Sequence, residues 1–174
     1  YDIVSIGIIG SGRIAKRFVK ESKYVSGVNI EGVFTPNITS AQKFKEQEEL
    51  QFATDDLKDF FSMISAVYIA SPHQTHFGYI MEALKAGKHV LCEKPLSLTT
   101  EETAFAYEYA RKEKLVLLEA IKTAYCPAFK HLLLLAKSGR IGNIKDVEAS
   151  FTKLVTGNVR ELRADMSGGS INEL

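Results

Sequence analysis

The sequence predicts an α/β fold built on a doubly wound parallel sheet, and three observations predict it. From Ile3 to Glu119, strand-like runs rich in β-branched residues alternate with helix-periodic segments at short spacing, an order that demands parallel strands joined by right-handed crossovers. The first run ends in a glycine cluster, Gly7, Gly10 and Gly12, and leads through Arg13 and Ile14 to Ala15 and a helical pattern. Two later strands end in Ser71-Pro72-His73 and Glu93-Lys94-Pro95, at the carboxyl edge where ligands of such sheets lie.

The first strand, turn and helix follow from residue size. Gly10-x-Gly12-x-x-Ala15 has the spacing of the dinucleotide fingerprint: Gly10 permits the turn, Gly12 lets backbone approach a pyrophosphate, and Ala15 lets helix pack on strand. N–H groups at the helix start, around Arg13 and Ile14, then face the phosphates together with the helix dipole. Gly7, Gly10, Gly12, Arg13 and Ile14 are therefore candidate cofactor contacts. An ordinary strand-to-helix turn is the plainer alternative, and the apolar strand before the glycines favours the nucleotide.

The first helix runs from about Ile14 to Lys23, a second strand from Val28 to Phe34, and a helix with a charged face from Thr39 to Glu49. In the fingerprint an acid at the end of the second strand, about 20 residues past the glycines, holds the adenosine ribose. Thr35-Pro36-Asn37 stands there instead, and Glu31 lies too early in the strand, roughly 13 Å away. Thr35 is the candidate at the ribose, and NAD or NADP both remain open. Gln51-Phe52-Ala53 reads as a third strand, with a helix cap at Thr54 to Leu57 leading to Phe61. Ala66 to Ala70 is a fourth strand, His76 to Ala86 a helix stopped by Gly87, and Lys88 to Cys92 a fifth strand. Thr100 to Glu113 is a further helix and Leu115 to Glu119 a sixth strand.

Composition sets other classes aside. Lys and Arg total 22 against 21 acids, a net charge of +1, and no basic block is interleaved with aromatics, so nucleic acid is not an expected partner. The longest apolar runs, such as Leu132 to Ala136, fall far short of the ~20 residues that span a bilayer, so no membrane partner is expected. Tyr1-Asp2 lacks the basic start of a signal peptide, and the absence of an initial methionine suggests an excised piece. Cys92 and Cys126 lack metal-ligand spacing. No metal is expected, both read as buried reduced thiols, and a cytoplasmic location follows.

Lys94 is the candidate catalytic residue. An ammonium beside a substrate hydroxyl can stabilise the alkoxide as hydride leaves, or accept its proton once neutral. Spacing alone does not separate this role from a solvated lysine after a strand. By the same standard, His76 is more often a packing or helix-capping histidine.

Several spaced motifs in order are more specific than one glycine turn. Gly7-Ile8-Ile9-Gly10-Ser11-Gly12-Arg13-Ile14-Ala15, Tyr68-Ile69-Ala70-Ser71-Pro72 with His76, Ala83-Leu84-x-Ala86-Gly87-Lys88-His89-Val90-Leu91-Cys92-Glu93-Lys94-Pro95, and Ile141-Gly142 together resemble the glucose-fructose oxidoreductase and inositol dehydrogenase family (Gfo/Idh/MocA), along the whole chain. The resemblance implies an NAD(P)-binding Rossmann domain at 1–121 and the incomplete start of a C-terminal α/β substrate and oligomerisation domain at 122–174. It implies hydride transfer between NAD or NADP and a hydroxyl or carbonyl of a small sugar- or polyol-like substrate. Lys94 would be the catalytic lysine of the Glu-Lys-Pro motif, joined to Pro95 by a cis bond. Pro72 and His73 would lie beside the nicotinamide end and Glu93 near its ribose, with Ser71 and His76 among the cofactor contacts. The full-length protein would be a homo-oligomer through its C-terminal sheet.

This chain also departs from the family. His73 stands where members often carry asparagine, and Lys122-Thr123-Ala124-Tyr125-Cys126-Pro127 replaces the commoner arginine-containing approach to the proline. Ser167 to Leu174 resembles the family's glycine-rich turn and following helix, but the histidine that follows an acid at the place of Glu173 is not in this chain. A strand from roughly Asn143 to Val155 would lack C-terminal partners, and its stretch around Asp146 to Leu154 is expected to be disordered or paired with another chain. The leading reading is an NAD(P)-dependent oxidoreductase, with this piece inactive by itself. A non-catalytic dinucleotide-binding sensor or structural module is the alternative. A methyltransferase-like nucleotide binder is weaker, having no acid at the second strand's end and no use for Glu-Lys-Pro.

Overall fold

The computed structural model describes residues 3–150 and 152. The chain divides into a unit ending at Glu119 and another beginning at Ala120. In the first, β1 (Val4–Ile9), α1 (Arg13–Ser22), β2 (Val28–Phe34), α2 (Ile38–Glu48), β3 (Phe52–Thr54), α3 (Leu57–Ser62), β4 (Ala66–Ile69), α4 (His76–Lys85), β5 (His89–Cys92), α5 (Thr100–Lys112) and β6 (Leu117–Glu119) follow in turn. The strands form one six-stranded sheet in the order β3-β2-β1-β4-β5-β6, and every pair is parallel. The fold is the doubly wound sheet that the alternation predicts. Strand order reverses between β1 and β4, so their carboxyl ends flank the crevice where such sheets bind ligands.

Each face of the sheet has its own core, and successive residues of β1 serve different ones. Ile8 joins Ala15, Val19, Val33 and Phe44 on the α1 and α2 side, while Ile9 joins Phe60, Ile69, Ile80 and Leu84 on the side of α3, α4 and α5. Burial on both faces explains why the strands read as near-continuous apolar runs rather than as alternation. Gly7 belongs to this packing. A Cβ there would stand 2.5 Å from Phe60 Cζ, so the glycine admits the aromatic ring, and the structure does not bring Gly7 to the carboxyl edge with the other candidate glycines.

Helix starts follow local chemistry. Asn37, Asp56 and Thr99 each accept a backbone N–H, from Ser40, Asp59 and Glu102 at 3.0, 2.9 and 3.2 Å. Thr99→Ala is expected to destabilise the protein by about 1 kcal/mol, read as a lower urea midpoint at unchanged slope. β6 begins at Leu117 rather than Leu115 because Lys114 adopts a φ of 56° and Leu115 N–H donates to Ala110 O, which closes α5. Between β4 and α4, His73–Thr75 forms a single 3-10 turn, entered from Pro72 at φ −60°.

The second unit carries α6 (Lys122–Tyr125) and α7 (Pro127–Lys137), neither of which buries a residue. Pro127 opens α7, where its missing N–H is no loss. Cys126 precedes it at the N-cap and is exposed, which corrects the expectation of two buried thiols: a helix entry contributes no side chain to a core here, whereas Cys92 ends a central strand and is buried. Residues 143–150 are irregular and exposed rather than a strand. A strand needs a neighbour's hydrogen-bond ladder, and the described residues of this unit form none. Except for Thr152, the rest of that expected strand lies outside the described residues, as do Tyr1, Asp2 and the Ser167–Leu174 segment with Glu173. Among the described residues no helix is long and apolar enough to cross a membrane.

Candidate functional site

The turn after β1 is built by two glycines with different duties. Gly10 has a φ of +106°, and a Cβ on it would stand 2.7 Å from Ala70 O, so the turn presses against the end of β4 in a conformation that glycine alone adopts freely. Its N–H donates to Phe34 O at the end of β2. A Cβ on Gly12 would meet nothing within 4 Å, which leaves open space over the backbone at the entry of α1. No side chain caps that helix, and no acid sits in its first turn. Open space at Gly12 and uncapped N–H groups at Arg13 and Ile14 fit a dinucleotide pyrophosphate.

At the end of β2, Thr35 is buried and its hydroxyl donates to Asn37 O at 2.7 Å, while Asn37 is used as the cap of α2. Glu31 accepts from Asn29 at 2.7 Å within the strand. The ribose end thus presents no carboxylate, as the sequence indicates, and the Thr35 side chain is turned to its own backbone.

The ends of β4 and β5 come together. Ser71 Oγ and Thr75 Oγ1 are 2.7 Å apart, and Thr75 donates to Pro72 O at 2.7 Å, which sets the turn holding Pro72 and His73. His73 is buried, edge-on to His76 with ring centroids 5.6 Å apart. His76 is fully buried, with Nδ1 2.7 Å from Pro95 O and Nε2 2.9 Å from Ser71 O. Both ring nitrogens meet backbone carbonyls, so His76 ties one strand end to the other. Lys94 and Glu93 are partly buried at the end of β5, and the Lys94–Pro95 bond is cis.

Sequence reasoning missed two residues here. Tyr68 of β4 stacks on Phe18 of α1, centroids 3.8 Å apart, and donates its hydroxyl to Glu93 Oε1 at 2.6 Å. Burial first, and the Glu93 carboxylate second, push the phenol well above its ordinary value, so it remains a donor. Glu119, at the end of β6, accepts the Leu96 N–H at 2.9 Å. A carboxylate ending the edge strand β6 was the one sequence signal for Glu119; Tyr68 stands in the Tyr68–Pro72 motif, but reads there as a strand residue. Burial chiefly, with Glu93 and Glu119 adding, raises the Cys92 thiol and makes it unreactive. Among the described residues no group of three or more His, Cys, Asp or Glu side chains could hold a metal.

Residues 4–120 match the family model GFO_IDH_MocA, described as an oxidoreductase family with an NAD-binding Rossmann fold. The scyllo-inositol 2-dehydrogenase (NADP(+)) IolU of Bacillus subtilis is 31% identical over 151 residues, covering 86% of this chain and 45% of that protein. The D-xylose 1-dehydrogenase (NADP(+)) of Hypocrea jecorina is 32% identical over 152 residues, covering 79% of this chain and 39% of the other. Among solved structures, the 3-ketoreductase KijD10 of Actinomadura kijaniata, in complex with NADP, superposes with a TM-score of 0.73 at 25% identity, over 81% of this chain and 46% of that one. The chain spans about half the length of the curated relatives it matches.

Proposed function

This chain belongs to the Gfo/Idh/MocA family of NAD-binding Rossmann-fold oxidoreductases, and from that premise we propose that it carries the cofactor site and the catalytic lysine of a dehydrogenase or reductase acting on a sugar- or polyol-like hydroxyl or carbonyl. Residues 1–121 would be the cofactor domain and 122–174 the start of a substrate domain. The observation that carries the proposal is the meeting of the Gly10–Gly12 turn, the Ser71–His73 turn and Lys94 at the carboxyl ends of β1, β4 and β5, on either side of the strand-order reversal. The substrate class is taken from relatives named for inositol and xylose.

When bound, the nicotinamide dinucleotide supplies the hydride acceptor or donor. Gly12 and the N–H groups of Arg13 and Ile14 hold its pyrophosphate, and the β2 end, lacking a carboxylate, admits a 2′-phosphate or a free hydroxyl. Lys94 orients the substrate oxygen through its ε-amine. In oxidation it receives the hydroxyl proton, and in reduction it donates one to the oxygen, offsetting negative charge there in either direction.

The first test is binding. NADH and NADPH fluorescence titrations of this chain are expected to show saturable binding of at least one of them below millimolar concentration. A folded protein that binds neither would remove the cofactor site and the proposal with it.

A further inference from the structure

The turn after β5 is held by side chains from three other elements. The last ladder bond of β5 runs from Glu93 N–H to Ile69 O at 2.9 Å. Beyond it, Tyr68 of β4 donates to the Glu93 carboxylate at 2.6 Å, His76 at the start of α4 meets the Pro95 carbonyl at 2.7 Å, and Leu96 N–H donates to Glu119 of β6 at 2.9 Å. β4 and β6 are the two neighbours of β5 in the sheet, so the turn is braced from both sides. Leu96 then enters the core at 2% exposure. Lys94 lies inside this span.

Packing alone would not choose these residues. Phenylalanine at 68 would stack on Phe18 equally well, and a hydroxyl, imidazole or carboxylate taken partly or wholly out of water costs free energy unless its hydrogen bond is kept. Satisfied buried polar contacts specify one geometry where apolar packing tolerates several. Here each contact grips a different group of one short turn: a side-chain carboxylate, a carbonyl and an amide. We infer that Tyr68, His76 and Glu119 are positioning residues that hold the Glu93–Leu96 turn, so that Lys94 leaves the backbone in one fixed direction. The inference rests on the role proposed for Lys94 above.

Amide exchange and steady-state kinetics on the full-length protein test it with Glu119→Ala, Glu119→Gln and Tyr68→Phe. In Glu119→Ala, exchange of the Leu96 amide is expected to rise at least about tenfold while β1 keeps its protection. Glu119→Gln retains an acceptor oxygen and is expected to recover most of that protection. Tyr68→Phe is expected to lower kcat about tenfold or more, with the cofactor KM moving less than about threefold, because a small misplacement of a reacting group acts mainly on the chemical step. Unchanged Leu96 exchange in Glu119→Ala would overturn the inference. So would a rise spread evenly over all six strands, or wild-type kcat in Tyr68→Phe. Lys94→Met separates the two claims: wild-type kcat in that variant removes the role of Lys94, while the exchange result still decides whether the turn is held.

Discussion

Replacing Lys94 by methionine is expected to lower kcat of the full-length protein by about 10²–10⁴-fold and to leave the affinity for NADH or NADPH nearly unchanged. Methionine keeps an unbranched apolar stem but carries neither proton nor charge. The bonds that hold the turn use the Glu93 carboxylate, the Pro95 carbonyl and the Leu96 amide, so the substitution leaves that bracing in place. The proposed pyrophosphate cradle is at Gly12, on a different strand end. Loss in kcat with retained binding is the signature of a group that acts in the transition state. Lys94→Arg divides the role further: arginine keeps the charge but does not give up its proton in proteins. Recovery of activity by arginine would assign Lys94 to charge stabilisation, and no recovery would assign it to proton transfer. A methionine variant with wild-type kcat would remove Lys94 from the chemistry.

Gly10→Ala and Gly12→Val are expected to fail in opposite ways, although the glycines are neighbours but one. At Gly10 an added Cβ meets Ala70 O at 2.7 Å with the backbone at φ +106°. Backbone strain and overpacking each contribute on the order of 1–3 kcal/mol, so Gly10→Ala is expected to lose several kcal/mol, a large share of an ordinary domain's stability. At Gly12 a Cβ meets nothing, and the backbone, at φ −78° and ψ −177°, suits valine. Gly12→Val is therefore expected to melt near wild type and yet to weaken cofactor binding at least about 100-fold, close to 3 kcal/mol, because its branched side chain stands where the pyrophosphate would approach. Urea denaturation and NADH titration read the two separately. A Gly12→Val protein that binds normally would place the phosphates elsewhere.

The elements of the first unit were legible because their signals are local. Asn37, Asp56 and Thr99 cap helices through residues three positions on, Gly87 follows α4 with φ +72°, and the β-branched runs became the strands. Misreadings arose where local pattern competed with something distant. The run from Asn143 has strand-like residues but no ladder to join within its described unit, and Cys126 reads as buried by residue type although it stands at a helix entry. Gly7 shares the glycine cluster with Gly10 and Gly12, yet it answers to Phe60.

Residue periodicity and turn chemistry, which act within a few positions along the chain, settled the order of strands and helices, the parallel sheet and the glycine turn from sequence alone. Tertiary structure decided what each side chain at the strand ends faces. Tyr68 and Glu93, His76 and Pro95, and Leu96 and Glu119 are 25, 19 and 23 positions apart. They meet because parallel crossovers set β4, β5 and β6 side by side in one register, with Tyr68 opposite Leu91 and Cys92 opposite Glu119. Register is a property of the assembled sheet, since a slip of one residue would turn the side chains of the slipped strand to the opposite face.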